Sequence, residues 1–553
     1  MYHVLLTNRY LTSRVIPLIA VAAVAMCVAL VIIVVSVMTG FLDMVKASGR
    51  TLVGDVIVSY PMTGIPYYER LIDRIASLGE VAAATPVVES LGLLKMPYPA
   101  GERKQTETVQ VWGIDPVTLG RVTGYDETLY WRPPAGGEIF SEDDFRSALE
   151  AELGPDALTT LYERGSALEA ADGSDRAIVL GMHVSIGNER QRDGTYRPVF
   201  GPLGYWFMPR YEVGLTVVPV GSSGGLLDPV TRGFQVVNEF VSGVFLIDDK
   251  RVMIPLAQAQ DMLRLVPSTI LDDDDEDSGF VDPARVTMVL ARAVDGVPPD
   301  ALRDRIATAY NAFREELLLD PTVHPSVVPP PIGAGLQVQT WRQQQRQFID
   351  PVEKERELMR VLFSIIYLVC AGLVLSIFWA IVYEKTRDIG ILRSVGASRL
   401  GISAIFLRYG AIIGAVGAVI GLGLAYLVVR NINGIHQAIG EPAPVWSWVG
   451  AFALAAGAVG MLVWRSFSGF LLPVVLWAIA AVACVGLGIG LLLHRGTLIW
   501  DPSVYYFSEI PNHLDPVTAV TTMLGAVVFS VLGAFVPAMK AADTDPVRAL
   551  RYE

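Results

Sequence analysis

Val15–Met38 reads VIPLIAVAAVAMCVALVIIVVSVM. That exceeds the roughly 20 apolar residues a helix needs to cross a hydrocarbon core about 30 Å thick. A secretory signal peptide has a shorter apolar region, roughly 7–15 residues, and a small-residue cleavage site, which this stretch lacks. A lipid-modified cysteine at Cys27 fits poorly, because bulky Met26 precedes it and apolar residues continue beyond. The stretch is expected to be a membrane anchor.

Five more apolar blocks lie far downstream: Val361–Tyr383, Ala404–Val429, Trp446–Trp464, Phe470–Leu493 and Ala519–Met539. The Trp446 block is the shortest. Basic residues beside membrane spans mark the cytoplasmic side. Arg9 and Arg14 precede the first block, Lys385, Arg387, Arg393 and Arg399 follow the second, and Lys540, Arg548 and Arg551 follow the last. Six spans put all three sets on one side. Four would also do so, because the Trp446 and Phe470 blocks come as a pair. Both termini are expected in the cytoplasm and the region from about Gly40 to Arg360 outside.

The chain has 553 residues, 52% of them hydrophobic, and a mean hydropathy of +0.44. Its excess apolar character sits in those blocks, so a membrane part and a globular part are expected. The net charge of −13 argues against a nucleic-acid partner, which calls for a basic footprint. Cys27, Cys370 and Cys484 are the only cysteines and all lie in apolar blocks. The region between the first two spans therefore has neither a disulfide framework nor a cysteine-based zinc site.

That region is large enough for a substantial core. Strand-like runs occur at Gly54–Ser59, Glu107–Gly113, Arg176–Gly181, Leu215–Val220, Phe234–Val237 and Arg285–Ala291, and helical patterns at Tyr68–Leu78, Leu256–Leu265 and Pro299–Leu317. The mixture predicts an α+β domain. Asp272–Asp277 (DDDDED) suggests calcium but lacks the spacing of a calcium loop, and is read as a solvated acidic loop. Pro325–Pro331 predicts a stiff extended connector.

Catalytic patterns are weak. Gly221–Gly225 (GSSGG) fits G-x-S-x-G, but a nucleophile elbow needs a following helix, and GLLDPVTRG does not open one. The six histidines (His3, His183, His324, His436, His494 and His513) form no spaced ligand or triad pattern. With no phosphate loop of the G-x-x-x-x-G-K-[ST] type, any ATP-driven work must draw on a partner. No catalytic, cofactor or metal residues are assigned.

After the second span, Tyr383–Leu400 reads YEKTRDIGILRSVGASRL. Ile389, Leu392 and Val395 recur at three-residue spacing among charges. This suits either a short amphipathic helix at the membrane face or a plain solvated loop. The segment EKTRDIGILRSVGAS resembles the signature cytoplasmic loop of the FtsX/MacB/LolC superfamily of ABC permeases. The tail FVPAMKAADTDPVRALRYE is similar to that superfamily's closing motif, with Pro537, Ala538, Ala541, Ala542, Pro546, Ala549, Leu550 and Arg551 matching it. NRYLTSR with SVMTGFLD, the stretch from Phe234 (FQVVNEFVSGVFLIDDKRVMIPLAQAQDML), and that from Thr340 (TWRQQQRQFIDPVEKERELM) resemble the lipoprotein-releasing LolC/LolE branch.

The resemblance implies a type VII ABC-transporter permease. Its four spans would enclose a MacB-like periplasmic domain, giving residues 1–39 as the N-terminal segment and first span, 40–355 as the α+β domain and 356–553 as the FtsX-like permease domain. It implies a second permease subunit (a like or a related one), two ATPase subunits, no cofactor, a place in the bacterial inner membrane, and mechanotransmission rather than conduction. Glu384–Ser398 would be the coupling helix, with Ile389, Leu392 and Val395 filling a groove on the ATPase and Glu384, Arg387 and Arg393 beside them. Two departures stand out: the inserted pair Trp446–Trp464 and Phe470–Leu493, and extra length from about Asn188 to Gly225.

Gly410, Gly414, Gly417 and Gly421 fall on one face of the third span, where small residues let helices approach closely. Their partner is either a second subunit or another helix of the same chain. Release of lipoproteins to a periplasmic carrier is the first functional reading. Peptide or small-molecule efflux and FtsX-like control of a cell-wall hydrolase are alternatives, and a membrane-anchored external enzyme or sensor is a rival of another class.

Overall fold

The computed structural model describes residues 15–50, 52–61, 63–96, 106–133, 154, 156–185, 187–190, 195–201, 204–221, 225–272, 275–440, 444–466, 471–493 and 510–545. The chain forms two compact units, one of residues Leu42–Glu353 and one of the flanking segments. The N-terminal helix α1 (Val15–Arg50) runs from the second into the first.

Nine strands of the Leu42–Glu353 unit make one sheet. They are β1 (Val56–Ser59), β2 (Val81–Lys95), β3 (Thr106–Ile114), β4 (Ala177–Gly181), β5 (Glu212–Val217), β6 (Val230–Phe240), β7 (Arg251–Pro255), β8 (Met288–Ala293) and β9 (Gln337–Thr340). The order is β5-β6-β4-β7-β3-β2-β8-β1-β9, and β5 also pairs with β2. The first six strands of that order thus close into a barrel, which leaves no free edge among them. The long β2 serves both parts: Val87–Lys95 pairs with β3, while Val81–Val87 pairs with β8.

Alternation fills the barrel. Val88, Leu94, Val109, Val111, Leu215 and Phe234 are buried together in one core. At Gly92 the barrel closes, and a Cβ there would come within 2.9 Å of Val111 Cγ2 and 3.0 Å of the Thr216 carbonyl. A second core, with Trp112, Tyr125, Val179, Phe240 and Met253, lies on the other face of these strands. It is roofed by the helix α3 (Pro116–Thr123), whose Leu119 and Val122 it buries.

Of the other helices, α2 (Tyr68–Ala76) buries Leu71 and Ile75, and α4 (Ala157–Ala167) buries Leu161. The helix α5 (Leu256–Met262) crosses β3 where Gly113 lacks a side chain, since a Cβ there would overlap that of Ala259. Finally α6 (Pro299–Leu319) buries Leu302, Ile306, Tyr310 and Phe313.

Several expectations are corrected here. The strands β2, β7 and β9 add to those that the sequence pattern predicts. Residues Ser268–Asp272 and Asp275–Asp282 pair as an antiparallel hairpin, so Asp272 and Asp275–Asp277 of the acidic run belong to strands, while 273–274 fall outside the described residues. The Pro325 segment begins as a turn of 3₁₀ helix (Pro325–Val327). It is held to α6 by Tyr310 Oη donating to the Pro330 carbonyl (2.6 Å) and Arg314 Nε donating to that of Pro329 (3.1 Å). In the Gly221–Gly225 segment, residues 222–224 fall outside the described ones. Gly221 N–H donates to the Gly225 carbonyl (2.8 Å), and the described residues after Gly225 lead into β6, so no helix follows the motif as an elbow would need.

The extra length after Asn188 forms two small hairpins, Asn188–Arg190 with Tyr196–Pro198 and Phe200–Gly201 with Gly204–Tyr205. Glu239, fully buried on β6, accepts from Asn188 Nδ2 (2.7 Å) and Trp131 Nε1 (2.6 Å). Burial pushes its carboxyl above the usual carboxylate range, against these hydrogen bonds. His183 Nε2 lies 2.8 Å from Tyr196 Oη. Burial, assisted by the Arg190 guanidinium, pulls the His183 imidazole down to about 4.

The remaining helices are α7 (Arg346–Glu384), α8 (Thr386–Ser394), α9 (Arg399–Arg430), α10 (Ile432–Gly440), α11 (Val445–Ser466), α12 (Leu471–Leu493) and α13 (Pro516–Ala542). Among the described residues five helices are long and apolar enough to cross a membrane: α1, α7, α9, α11 and α13. The described apolar stretch of α12, Trp477–Leu493, is shorter. Helices α1, α7, α9 and α13 share one core, which includes Val24, Val28, Val374, Phe378, Ile413 and Ala534. Helix α12 packs on α11, where Gly488 meets the ring of Phe452. Arg465 and Ser466 end α11, and 467–470 are outside the described residues.

Candidate functional site

The candidate site is the short helix α8 and its turn into α9. It begins as α7 ends: Lys385 N–H donates to the Ile381 carbonyl (3.0 Å), and Lys385 Nζ sits 3.1 Å from Asp388 Oδ2. It stops where Gly396 adopts φ 102°, a left-handed conformation that favours glycine. Gly396 N–H donates to the Arg393 carbonyl (3.1 Å) and Ala397 N–H to that of Leu392 (3.0 Å). Two residues on, Ser398 caps α9 by accepting from Gly401 N–H (3.0 Å). The letters G-A-S at 396–398 thus encode a helix stop followed by a helix start.

The faces of α8 differ from the expected pattern. Ile389 is buried in the helix-bundle core beside Ile381, Val382, Ile402 and Phe406, so it anchors α8 and cannot fill a groove on another protein. The reason is the tight bend after Glu384, which folds that side of α8 back on its own bundle. Leu392 and Arg393 are half-buried, and Glu384 and Arg387 are exposed at its edge. Val395 is 84% exposed and Leu400 81%, with Ile391 also exposed. The apolar surface offered to solvent is therefore Ile391, Val395 and Leu400. A three-residue register counted from Ile389 passes over Ile391 and Leu400, so spacing alone does not single them out.

The end of α13 lies beside this turn. Pro537, Ala538, Ala541 and Ala542 of α13 are buried, and Asp543 forms an ion pair with Arg399. The matched Pro546, Ala549, Leu550 and Arg551 lie outside the described residues.

The four glycines of α9 contact helices of the same chain. A Cβ on Gly410 would come within 2.8 Å of Ala534 Cβ, and one on Gly414 within 2.9 Å of Val527 Cα, both on α13. One on Gly417 would meet Val24 Cβ at 2.8 Å, and one on Gly421 the Ala25 carbonyl of α1 at 2.6 Å. The stripe is occupied inside the chain and does not face a second subunit.

A cavity of 440 Å³ opens between α1, α7 and α13. Val31, Met38, Phe363 and Tyr367 supply its apolar wall, and Asp515 and Thr518 its polar end. Among the described residues no three His, Cys, Asp or Glu side chains gather as a metal site.

A multi-pass membrane protein with a large α+β domain inserted after its first span is what these units define. Residues 18–309, more than half of the chain, match the MacB-like periplasmic core domain, and residues 360–472 match the FtsX-like permease C-terminal domain. The chain belongs to this FtsX/MacB-type permease family. It is similar to the lipoprotein-releasing system transmembrane protein LolC of Neisseria meningitidis serogroup B, at 23% identity over 76% of this chain and 78% of that protein. The protein of that name from Xylella fastidiosa is 24% identical over 39% of this chain and 40% of its own length. That from Haemophilus influenzae is 28% identical over 18% and 25%. The match thus spans less than half of these last two relatives.

Proposed function

We propose that this chain is the membrane subunit of an ABC transporter that uses a partner's ATP hydrolysis to do work on the far side of a bacterial inner membrane, and that this work is the release of lipoproteins. The observation that carries the coupling half is the exposed Ile391–Val395–Leu400 surface, presented on a helix whose other side is locked into the bundle by Ile389. A rigidly seated helix with a small apolar surface can pass a push from a docked ATPase to α7 and α9. Leu392 borders this surface, and Glu384, Arg387 and Arg393 supply its polar rim. Two ATPase copies and a second permease, like or related, complete the assembly. Both termini face the cytoplasm and the Leu42–Glu353 unit faces the periplasm.

The cargo half rests on the Neisseria LolC match over three quarters of both chains. The 440 Å³ cavity supports it, with an apolar wall suited to an acyl chain and a polar end suited to a head group. Apolar anchors at the centre of an interface cost on the order of 2 kcal/mol or more when removed. Val395→Asp should therefore abolish co-purification of the ATPase while the protein still inserts in the membrane. Unchanged recruitment and turnover would remove α8 from the mechanism. Depletion of the protein should leave acylated lipoproteins in the inner membrane. Normal sorting would reject the cargo half and favour efflux or hydrolase control.

A further inference from the structure

A cleft of 760 Å³ in the Leu42–Glu353 unit plays no part in the account above. Its size falls in the range of about 300–1,000 Å³ common to binding pockets. One wall is the outward face of β2. Leu91 and Leu93 alternate there with the inward Gly92 and Leu94, and Leu91 is 72% exposed. The other wall comes from Val218 and Val220, just after β5, and Leu226, ahead of β6; Val218 and Leu226 are also exposed, Leu226 by 76%. A solvated strand face is ordinarily polar. A contiguous exposed apolar patch marks a place where something binds.

The polar lining narrows the class of ligand. Among the described residues Glu89 is the only ionisable side chain in it. Its carboxylate accepts from Trp112 Nε1 (3.3 Å) and from the Gln110 amide. The nearest cation is Arg251, which is buried behind this lining, where it donates to Gln110 Oε1 (3.2 and 3.1 Å) and lies over the Trp112 ring. It is thus engaged away from the cleft, and no lining residue offers a phosphate or carboxylate head group a counter-charge. The other polar groups are amides and hydroxyls, including Thr108, Gln337 and Gln339. The last two lie on β9, and their side-chain amides have no partner among the described residues. An alkyl chain would cover these amides without satisfying them, at about 1–3 kcal/mol for each buried group. An extended peptide supplies apolar side chains at every second position and backbone N–H and C=O groups for the amides between them.

We propose that this cleft binds an extended apolar peptide segment that lacks acidic side chains. The inference is independent of the cargo reading, because it rests on the cleft alone. The test uses the full chain in nanodiscs of neutral lipid and a short dansyl-labelled peptide that alternates leucine and threonine between terminal lysines. Saturable binding is expected, weakened about tenfold or more by Leu91→Asp and by Leu226→Asp, each of which puts a charge against the bound side chains. Both residues are exposed, so the fold tolerates the changes. Leu319→Asp, on an equally exposed leucine outside the cleft, should leave binding unchanged. Exchanging the terminal lysines for glutamates should weaken binding, and Glu89→Gln should reduce that penalty. The proposal is overturned by absence of saturable binding or by binding indifferent to both leucine variants. It is equally overturned if a dansyl fatty acid binds with the Leu91 dependence and the peptide does not, which would assign the cleft to acyl chains.

Discussion

Arg399 Nη1 lies 3.6 Å from Asp543 Oδ1, joining the first residue of α9 to the residue that follows α13. Both side chains are more than 60% exposed, and such pairs contribute about 0–1 kcal/mol. The turn beside them is held by other means, the Gly396 stop and the Ser398 cap. Asp543→Asn should therefore leave the thermal midpoint in detergent almost unchanged. Gly396→Ala forces a side chain into a left-handed conformation and should cost about 1 kcal/mol or more locally. Hydrogen exchange of the α8 amides is the readout. Faster exchange in Gly396→Ala and no change in Asp543→Asn is expected, and the reverse ranking would make the ion pair the true fastener.

The glycines of α9 give a graded packing test. Gly414→Val and Gly421→Val push carbon into space held by Val527 and Val28, and overpacking of this kind costs about 1–3 kcal/mol. Gly423, on the same helix, has open space where a Cβ would stand, with no neighbouring atom within 4 Å. Gly423→Ala should be neutral or raise stability by up to about 1 kcal/mol through helix propensity. Equal thermal midpoints for all three variants would contradict the packing described here.

His183 sets a pH dependence of definite sign. Its imidazole, held near 4 in the fold, takes a proton in the unfolded chain at about 6.5. Between those values the unfolded state binds more protons, so this residue lowers stability as pH falls from about 6.5 towards 4. Glu239 acts oppositely: its raised carboxyl favours the folded state as pH falls through the window above the ordinary glutamate value. Urea midpoints of the external unit's unfolding, measured from pH 7 to 4, should therefore respond to the two residues separately. His183→Gln should remove an acid-side loss and Glu239→Gln an acid-side gain. Parallel profiles for wild type and His183→Gln would refute the His183 assignment.

The α11–α12 pair is expected to cross and recross the membrane, although the described apolar part of α12 is only Trp477–Leu493. Ser466→Cys, at the end of α11, should react with an impermeant maleimide only after the cytoplasmic side is opened. Labelling of intact cells from outside would exclude the re-entrant pair and leave α11 on the opposite course.

Much of the membrane part was legible in the sequence because span length and glycine spacing are local signals. The destination of the glycines was not, since Gly410 and Gly417 look alike in sequence but meet different helices, α13 and α1. In the external unit β2 is hard to read because VAAATPVVESLGLLK contains Pro86 and an alanine run. Its strand character comes from its partners, the next strand Thr106–Ile114 on one side and, far along the chain, Met288–Ala293 on the other. The short β9 carries no apolar alternation beyond Val338. At the candidate site the stop and start at 396–398 could be read from residue type. The inward turn of Ile389 could not, because it depends on the bend between α7 and α8.

The chain enters the nine-stranded sheet by β1 and leaves it by β9, and these are antiparallel neighbours, with Val56 opposite Thr340. Trp341 N–H donates to the Asp55 carbonyl (3.1 Å), so the entering and leaving strands are clasped at the same end. Tension that parts those two ends would peel the β1–β9 ladder one rung at a time, starting at this clasp, whereas displacement of both together loads no rung. Such a clasp would pass common-mode motion of the two flanking segments and yield to differential motion.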